Sequence, residues 1–518
     1  MTLSAPRGAS RATPWPALGD LVAGIAVASI LVPQSIAFAQ LAGVPPHLGL
    51  IAAVLPPLAA SFFASSPYLQ TGPVAITSVL TFGVLSDFAT PGTAEFIGLA
   101  ALLALLVGIV RLGLGLMRWG FVTYFMSQPV LAGFTTAAAI LIVLAQVPVV
   151  LGVSGGSAGI VADAAAALAH PGAWTIDIVV VAGLTVLVVL GGRRVHPLTP
   201  GVLLAVVGGM LFSQLSGFDG AVVGEIPRGL PAHVGYFPWE RLPTLLVPAG
   251  VIALMGFAEP SAIARMYAEQ DRMAWSPDRE FVSQGVANIV AGMSGTFPVG
   301  GSFSRSSVAR LAGARSRWTG AIAALVVLIF LPVAGVLASL PTAVLGAIVI
   351  ASVVALIRLK PWVEMFQASL TQAGVAGTTF VLTLALAPRI DLAVLGGVGL
   401  AVVVHLWREL LVRVEVRRDG DTLRLEPVGV LFFASAPPLD NAIVQQLAAH
   451  PDARRLVIDL KQLGRIDYTG ALVLRRIARE AERAGLEVRL TGVPQQARRV
   501  LHRVLGGDSP LLDPSGRG

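Results

Sequence analysis

Apolar windows of helical length recur from about Leu21 to Leu411, and short turns rich in polar residues, glycine and proline separate them. A helix needs about 20 mainly apolar residues to cross the hydrocarbon core of a bilayer. Two stretches, near 72–87 and 302–312, are too polar or too short to cross alone. Counted with them, the chain has fourteen predicted membrane segments, the others lying near 20–41, 46–64, 93–116, 121–146, 173–191, 198–216, 245–267, 279–296, 315–335, 340–358, 371–388 and 390–412.

An even number of segments puts both ends of the chain on one side of the membrane, and the arginines indicate which side. Basic residues follow every even-numbered segment from the fourth onward, beginning with Arg111 and ending with Arg408. The opposite side carries few, Arg241 and Arg389 among them. Because basic loops stay in the cytoplasm, we expect both termini to be cytoplasmic, with residues 1–18 as a cytoplasmic segment rather than a signal peptide.

The pattern changes after Leu411, where charged residues become frequent. Residues 414–426 alternate apolar and charged side chains around Asp419-Gly420, as in a β-hairpin. Strands and helices then alternate, which is typical of a small α/β domain, and we assign it residues 413–507, followed by a tail at 508–518 that we expect to be disordered. The further predicted elements are strands Val428–Phe433 and Leu456–Leu460 and helices Leu439–Ala449, Gly470–Ala484 and Gln495–Leu505.

Composition agrees with a membrane protein. Of the 518 residues, 55% are hydrophobic and only 13% are charged, and the charged fraction is about half that of an average soluble protein. The chain contains no cysteine, so neither disulfides nor a cysteine-ligated metal can form. Most of the arginine behind the net charge of +7 lies in short loops and in the C-terminal region, so this charge indicates membrane orientation rather than nucleic-acid binding.

The membrane region contains a weak internal repeat. Pro33 lies 39 residues before Gly72, and Pro260 lies 40 residues before Gly300. Each proline falls within a predicted membrane helix, and each glycine opens one of the two short segments. Since seven segments is an odd number, the second copy must run inverted across the membrane. Matching broken segments in two inverted halves indicate a transporter binding site near the membrane midplane.

The two short segments are candidates for an anion site. Each would begin as a half-helix inside the membrane, where its free N–H groups and its dipole place about half a positive charge at the N-terminus. Two such ends facing each other attract an oxyanion. Serine hydroxyls can add donors, although they can equally serve as helix caps. The candidate binding residues in these segments are Gly72, Pro73, Val74, Gly301, Ser302, Phe303 and Ser304.

Two ionisable residues accompany this site. Arg305 directly follows Ser304 and is expected to add positive field, unless its side chain extends to the cytoplasmic interface beside Arg310. Glu259 lies deep in segment eight, where burial disfavours its charge, so that binding a proton or cation as the anion arrives would relieve the cost. Glu259 is therefore the candidate coupling residue, with a proton favoured over sodium. The alternative is a structural ion pair with Arg265 or Arg305.

Five stretches carry motifs of a known family. They are GIAVASILVPQSIAFAQLAGVPP from Gly24, LQTGPVA from Leu69, QPVLAGFTT from Gln128, GGSFSRS from Gly300 and LPTAVLGAI from Leu340. Together they resemble the sulfate permease family, which includes bacterial and plant sulfate carriers, pendrin and prestin.

This resemblance implies an architecture and two more site residues. It implies fourteen segments in two inverted sets of seven, divided into a core and a gate domain. It places Gln34 and Phe38, one turn apart on the first helix, beside the substrate. It also implies a C-terminal STAS domain, a homodimer and, for a bacterial member, a place in the cytoplasmic (inner) membrane. Within the membrane domain of 19–412, the core would comprise about 19–118 and 245–338, and the gate about 119–244 and 339–412.

One loop of the C-terminal domain is a candidate regulatory position. Asp467-Tyr-Thr-Gly470 lies between a predicted strand and a predicted helix, and Thr469 is expected to cap that helix. The domain resembles anti-sigma-factor antagonists, in which the matching serine of an Asp-Ser-Ser-Gly sequence is phosphorylated. Because Tyr468 and Thr469 stand there instead, capping is favoured over regulation by phosphorylation.

These observations favour a secondary anion transporter over an enzyme. No nucleophile–His–acid set, metal-ligand spacing or phosphate-binding Gly-Lys motif is present in the sequence, so we expect no cofactor and no ATP-driven pump. The expected cargo is a small carboxylate or oxyanion carried with a proton: a C4-dicarboxylate such as fumarate first, then sulfate or bicarbonate, an order taken from the family's range. The alternatives are a passive anion channel, an exchanger or voltage-sensitive motor, and a membrane-bound anion sensor that signals through the STAS domain.

Overall fold

The computed structural model describes residues 15–506, apart from 126, 155, 157, 158, 197, 228–236 and 411. The predicted disordered tail and most of the predicted N-terminal cytoplasmic segment lie outside the described residues. Contacts divide the chain into two compact units, with the boundary between Val398 and Gly399.

The first unit is helical, and its elements follow the predicted membrane segments closely. Among the described residues, eight helical stretches of at least 18 residues are apolar enough to span a membrane, and shorter apolar helices lie between them. Two very short strands interrupt the helices, β1 (Thr71–Gly72) and β2 (Gly300–Gly301). The α-helices up to residue 410 are α1 (Leu18–Leu41), α2 (Pro46–Ala52), α3 (Leu55–Phe63), α4 (Ala75–Leu85), α5 (Ala94–Leu116), α6 (Gln128–Leu151), α7 (Ile160–Ala169), α8 (Ile176–Val195), α9 (Gly201–Ser216), α10 (Leu242–Asp271), α11 (Pro277–Met293), α12 (Phe303–Leu311), α13 (Trp318–Phe330), α14 (Thr342–Val353), α15 (Lys360–Ala368), α16 (Leu370–Ala385) and α17 (Ile390–Leu410).

The departures from the predicted segments have local causes. Segment two is split into α2 and α3, because Pro56 and Pro57 cannot donate backbone hydrogen bonds to the preceding turn. Segment five begins at Gln128 rather than near residue 121, since a 3₁₀ turn over Gly120–Phe125 precedes it. Helices α7 and α15 were not predicted, because ten and nine residues are too few to register as membrane windows.

Arg111 corrects one part of the arginine pattern. It was read as a charge at the exit of segment four, but α5 continues to Leu116 and the Arg111 side chain is fully buried. Its guanidinium donates to the backbone carbonyls of Ile252, Ala253 and Val299 at 3.1, 3.0 and 2.9 Å. Arg111 therefore ties α5 to α10 and to the residue before β2, and only the remaining arginines bear on membrane orientation.

Helix contacts repeat between the two halves of this unit. Helix α1 packs on α12 and α13, and α10 packs in the same way on α4 and α5. Helix α3 packs on α13 as α11 packs on α5, while α6 and α14 pack on each other. Strands β1 and β2 pair antiparallel at the centre of this arrangement. The helix contacts are thus the same when the two halves are exchanged, and the two strands run in opposite directions. An inverted repeat requires both features.

The second unit combines a mixed sheet with helices. A hairpin of β3 (Arg413–Asp419) and β4 (Thr422–Leu431) turns at Gly420, and parallel strands β5 and β7 extend the sheet beyond β4. Side chains such as Leu425, Ile458 and Leu490 are fully buried beneath the helices. The other elements are β5 (Arg455–Asp459), β6 (Leu463–Ile466), which pairs with β4, β7 (Glu487–Thr491), α18 (Ala436–Ala449), α19 (Tyr468–Arg483) and α20 (Gln495–Leu505).

Two expectations for this unit need correction. Strands β6 and β7 were not predicted; they are four and five residues long and carry charged side chains, which weakens the apolar signal. The expected cap at Thr469 is wrong as well. Asp467 occupies the N-cap position of α19, and its Oδ1 accepts the N–H of Gly470 at 2.7 Å, so Thr469 lies within the first helical turn.

Candidate functional site

The two interrupted segments meet at the antiparallel pair of β1 and β2. Thr71 pairs with Gly301, and Gly72 pairs with Gly300. Helix α4 begins three residues after β1, and helix α12 begins two residues after β2. The pairing therefore brings the N-termini of two half-helices to one place inside the helical unit, as the internal repeat predicted.

Close packing explains the glycines at this crossing. A Cβ atom on Gly301 would lie 2.6 Å from Cδ1 of Leu69 and 3.1 Å from Cγ of Pro260, so a side chain there would force these neighbours to shift. Gly72 has φ = +147°, a backbone conformation that L side chains rarely adopt. Both glycines, together with Pro73, belong to the crossing itself and do not line the cavity beside it. Glycine is thus needed here for packing of the chain, rather than for approach of a ligand to the backbone.

A cavity of about 280 Å³ lies in front of the two helix ends. Most of the predicted site residues line it, and they come from four helices and the residues that precede them. Apolar residues of α8 and α9, such as Val189 and Val202, form part of the opposite wall. The predicted residues that line the cavity are Gln34, Phe38, Val74, Glu259, Ser302, Phe303 and Ser304.

The two helix ends offer different donors. Helix α4 starts at Val74 with no side-chain cap, and Ala75 and Ile76 border the cavity, so its first N–H groups remain available to a ligand. At α12, the N–H of Ser302 donates to the carbonyl of Gln70, and the N–H of Phe303 donates to Glu259. The backbone N–H groups that remain available to a ligand therefore belong mainly to α4.

Of the two roles expected for the serines of the α12 end, capping is observed, and Ser302 performs it. The hydroxyl of Ser302 accepts the N–H of Arg305 at 3.5 Å as the helix cap, and it lies 3.2 Å from the hydroxyl of Ser304. Both side chains still border the cavity. A hydroxyl has one donor and two acceptor sites, so each serine can donate to an anion while it accepts elsewhere.

Arg305 supplies positive charge from directly behind the cavity wall. Its side chain is fully buried, so the expected alternative, extension to the interface beside Arg310, is wrong; Arg310 instead pairs with Asp271. Nη1 of Arg305 donates to Oε1 of Gln34 at 3.2 Å, and Nε2 of Gln34 donates to the hydroxyl of Ser352 at 3.1 Å. Within the described part of the chain, Nε and Nη2 of Arg305 have no hydrogen-bond partner. A buried guanidinium with unused donors favours an anion nearby.

Glu259 borders the same cavity from α10. Its Oε1 accepts the N–H of Phe303 at 3.2 Å, which joins the carboxylate to the first residue of α12. Among the described residues, Glu259 forms no ion pair with Arg265 or Arg305: Arg265 pairs with Glu269 one turn later at 2.9 Å, and Arg305 donates to Gln34. Glu259 is thus adjacent to both the cavity and the half-helix that borders it.

Sequence reasoning missed four polar residues of the cavity. They are Thr199, which precedes α9, Ser307, which lies within α12 one turn after Phe303, Ser352 on α14, and Arg358 between α14 and α15. Arg358 was interpreted only as a charge that marks membrane orientation. Ser352 gave no signal, because a single serine is common in membrane helices and its proximity to Gln34 arises only when α1 packs on α14.

Comparison with known proteins gives a consistent result. The sequence model of the sulfate permease family matches residues 18–376, and that of the STAS domain matches residues 413–509. A probable sulfate transporter of Mycobacterium tuberculosis is 33% identical over 399 residues, which cover 75% of this chain and 70% of the relative. Sulfate transporter 4.1, chloroplastic, of Arabidopsis thaliana is 34% identical over 426 residues, covering 78% and 61%.

Solved structures show the same fold. Murine Slc26a9, an anion transporter in the inward-facing state, matches with a TM-score of 0.86 at 20% identity over 95% of this chain and 88% of that one. The transmembrane domain of the cyanobacterial bicarbonate transporter BicA matches with a TM-score of 0.63 at 24% identity, covering 74% and 97%. The relatives are membrane transporters rather than enzymes. The chain belongs to the sulfate permease family of multi-pass anion transporters and carries the C-terminal STAS domain that its sequence predicted.

Proposed function

We propose that this chain is a proton-coupled symporter of a small carboxylate or oxyanion, with divalent anions favoured over monovalent ones. Sulfate is the first candidate, followed by C4-dicarboxylates such as fumarate and then bicarbonate. The observation that carries the proposal is the cavity between two half-helix N-termini, with the unpartnered donors of buried Arg305 behind it and the carboxylate of Glu259 at its edge.

Charge favours a dianion as the substrate. The half-helix ends and the buried guanidinium of Arg305 make the cavity positive. A dianion such as sulfate or fumarate is attracted by this charge about twice as strongly as a monoanion. We put sulfate ahead of the dicarboxylates that sequence reasoning put first, because relatives are named sulfate transporters. The cavity of about 280 Å³ accommodates either.

Coupling is assigned to Glu259. When the carboxylate is charged, it opposes an anion in the adjacent cavity, and this repulsion is strong where the surroundings are poorly polarisable. A proton on Glu259 removes the repulsion, so the anion and the proton stabilise each other's binding. Sodium could neutralise the carboxylate in the same way, and the experiment below separates the two.

The transport step would be movement of the core against the gate. We assign about 19–118 and 245–338 to the core, which holds α4, α12, Gln34 and Glu259, and about 119–244 and 339–412 to the gate. A site at the crossing of two half-helices would then move as one body between the two sides of the membrane. A homodimer in a bacterial cytoplasmic membrane, with both termini in the cytoplasm, completes the proposal.

Uptake into proteoliposomes tests the proposal. Purified protein would be reconstituted, and labelled sulfate, fumarate and bicarbonate supplied in separate reactions, each with a proton gradient, a sodium gradient or neither. We expect concentrative sulfate uptake that depends on an inward proton gradient and is inhibited by fumarate.

Other outcomes would distinguish the alternatives. Uptake that needs internal anion identifies an exchanger, and conductive flux without concentration identifies a channel or a voltage-sensitive motor. Binding without flux identifies a sensor. Absence of both uptake and binding for every anion would refute an anion site altogether.

A further inference from the structure

Arg358 is a cation of the anion cavity that the transport scheme above does not use. It lies in the short connection between α14 and α15, and its side chain is exposed. Its guanidinium carbon is 5.6 Å from the centre of the Phe303 ring. Among the described residues, no carboxylate forms an ion pair with it. Arg358 therefore contacts an aromatic face, and its N–H donors are available to a ligand.

Arg358 and Phe303 stand at a partition between two cavities. The anion cavity lies on one side, and a second cavity of about 730 Å³, bounded by α6, α10, α15 and α16, lies on the other. Both residues line both cavities, as does Glu259. The charge of Arg358 therefore borders the space in front of the α12 end.

The two arginines near this cavity differ in freedom. Arg305 is fully buried and held by Gln34, so its charge is fixed behind the wall. Arg358 is exposed and belongs to a different helix group, α14 and α15, so its position can respond to a ligand. Contact of an exposed guanidinium with an aromatic ring is weaker than charge-assisted hydrogen bonds to an oxyanion, which can therefore displace it.

We propose that Arg358 is a specificity-determining residue: it leaves the Phe303 ring and donates to the bound anion, which makes the site selective for divalent over monovalent anions. The first negative charge of the substrate is balanced by the α4 end and Arg305, whereas the second is met by Arg358. A monovalent anion has no second charge for it to bind. This inference rests on the proposed transport of anions and deepens it by naming the residue that recognises substrate charge.

Binding to Arg358→Gln tests this role. The affinities of sulfate, fumarate, nitrate and formate would be measured on purified full-length protein, by direct binding and by competition with labelled sulfate. We expect the variant to lose at least about tenfold in affinity for sulfate and fumarate, equivalent to about 1.4 kcal/mol. Affinity for nitrate and formate should change by less than about threefold, an amount within the small range of exposed charge pairs, since the α4 end and Arg305 already balance a single negative charge.

Two matched variants separate charge recognition from a structural effect. Lys360→Gln removes a positive charge two residues away that pairs with exposed Glu364, and it should leave both classes of anion unaffected. Arg358→Lys retains the charge and should restore most of the preference for dianions. Equal loss for monovalent and divalent anions, or none for either, would overturn the inference while leaving anion transport intact. Failure of the unaltered protein to bind any of the four anions would instead refute the proposed function.

Discussion

The Oε1 atom of Glu259 accepts the backbone N–H of Phe303 at 3.2 Å, so an acid of α10 holds the first residue of half-helix α12. The same residue, Phe303, faces Arg358 through its ring. A change in the charge of Glu259 would therefore act directly on the helix end that borders the cavity. The proposed ion coupling would follow this short route.

Glu259→Gln should uncouple transport from the proton gradient. The amide oxygen of glutamine can still accept the N–H of Phe303, so the helix end is retained while the titratable charge is lost. We expect sulfate to equilibrate across proteoliposomes at any imposed proton gradient, without accumulation. Glu269→Gln is the matched control. Glu269 is an exposed carboxylate on the same helix, and it forms an ion pair with Arg265 one turn earlier. Gradient-driven accumulation by Glu259→Gln equal to that of the unaltered protein would refute the coupling role.

Arg305→Gln should weaken binding of every anion. The substitution removes a buried charge whose Nε and Nη2 have no partner among the described residues, while a glutamine can retain contact with Gln34. Loss of a charge-assisted hydrogen bond costs about 1.5–3 kcal/mol, so sulfate affinity should fall at least tenfold. Direct binding to purified protein measures it. Arg315→Gln, which removes an exposed positive charge beyond the C-terminal end of α12, should bind sulfate normally; unchanged affinity in Arg305→Gln would contradict the assignment.

Gly301→Ala should destabilise the crossing of β1 and β2. The added Cβ would lie 2.6 Å from Leu69 and 3.1 Å from Pro260, and such overpacking costs about 1–3 kcal/mol. We expect a lower melting temperature in detergent and weaker sulfate binding, because the α12 end must move. Gly374→Ala offers the control, since nothing lies within 4 Å of its added Cβ in α16. A melting temperature equal to that of the unaltered protein would show that the neighbours yield freely.

Asp20→Asn should destabilise the helical unit without changing anion binding. The carboxylate of Asp20 in α1 is buried and accepts five hydrogen bonds. One donor precedes α1, and the other four lie just before α13 or in its first turn. An asparagine keeps one acceptor oxygen, so at least one buried donor loses its partner at about 1–3 kcal/mol. A lowered melting temperature with sulfate affinity unchanged is expected. Asp87→Asn, at a half-exposed ion pair with Arg389, should have almost no effect. The donors are the N–H groups of Ala17, Arg315 and Ser316 and the hydroxyls of Ser316 and Thr319.

Asp467→Ala should loosen the start of α19 in the STAS domain. Loss of an N-cap costs about 1 kcal/mol, and the freed Gly470 N–H should exchange with solvent more quickly. Hydrogen exchange of the full-length protein measures this directly. Thr469→Ala leaves the cap in place and should exchange like the unaltered protein; the reverse ranking would restore Thr469 as the cap.

The sequence by itself determined where the apolar helices lie, where two segments break, and which family the chain belongs to. These features depend on local properties, namely runs of apolar residues about 20 long, paired Pro and Gly positions, and motifs such as GGSFSRS from Gly300. Seven of the residues that line the cavity were also predicted from the sequence, and two of these, Gln34 and Phe38, came from the family resemblance.

The tertiary structure alone decided the environment of each charge. Nothing local distinguishes Arg111, buried against three carbonyls, from Arg358, which lies over a cavity, because both follow an apolar run. The same holds for the cap of α19, which depends on the backbone angles of Asp467. A charged side chain in an apolar surrounding is stable only with partners from other elements, and the partners of Arg111 lie more than 140 residues away in sequence. The periodicity of apolar residues indicates which face of a helix a residue occupies. The partner of a charged side chain depends instead on how helices distant in sequence pack together.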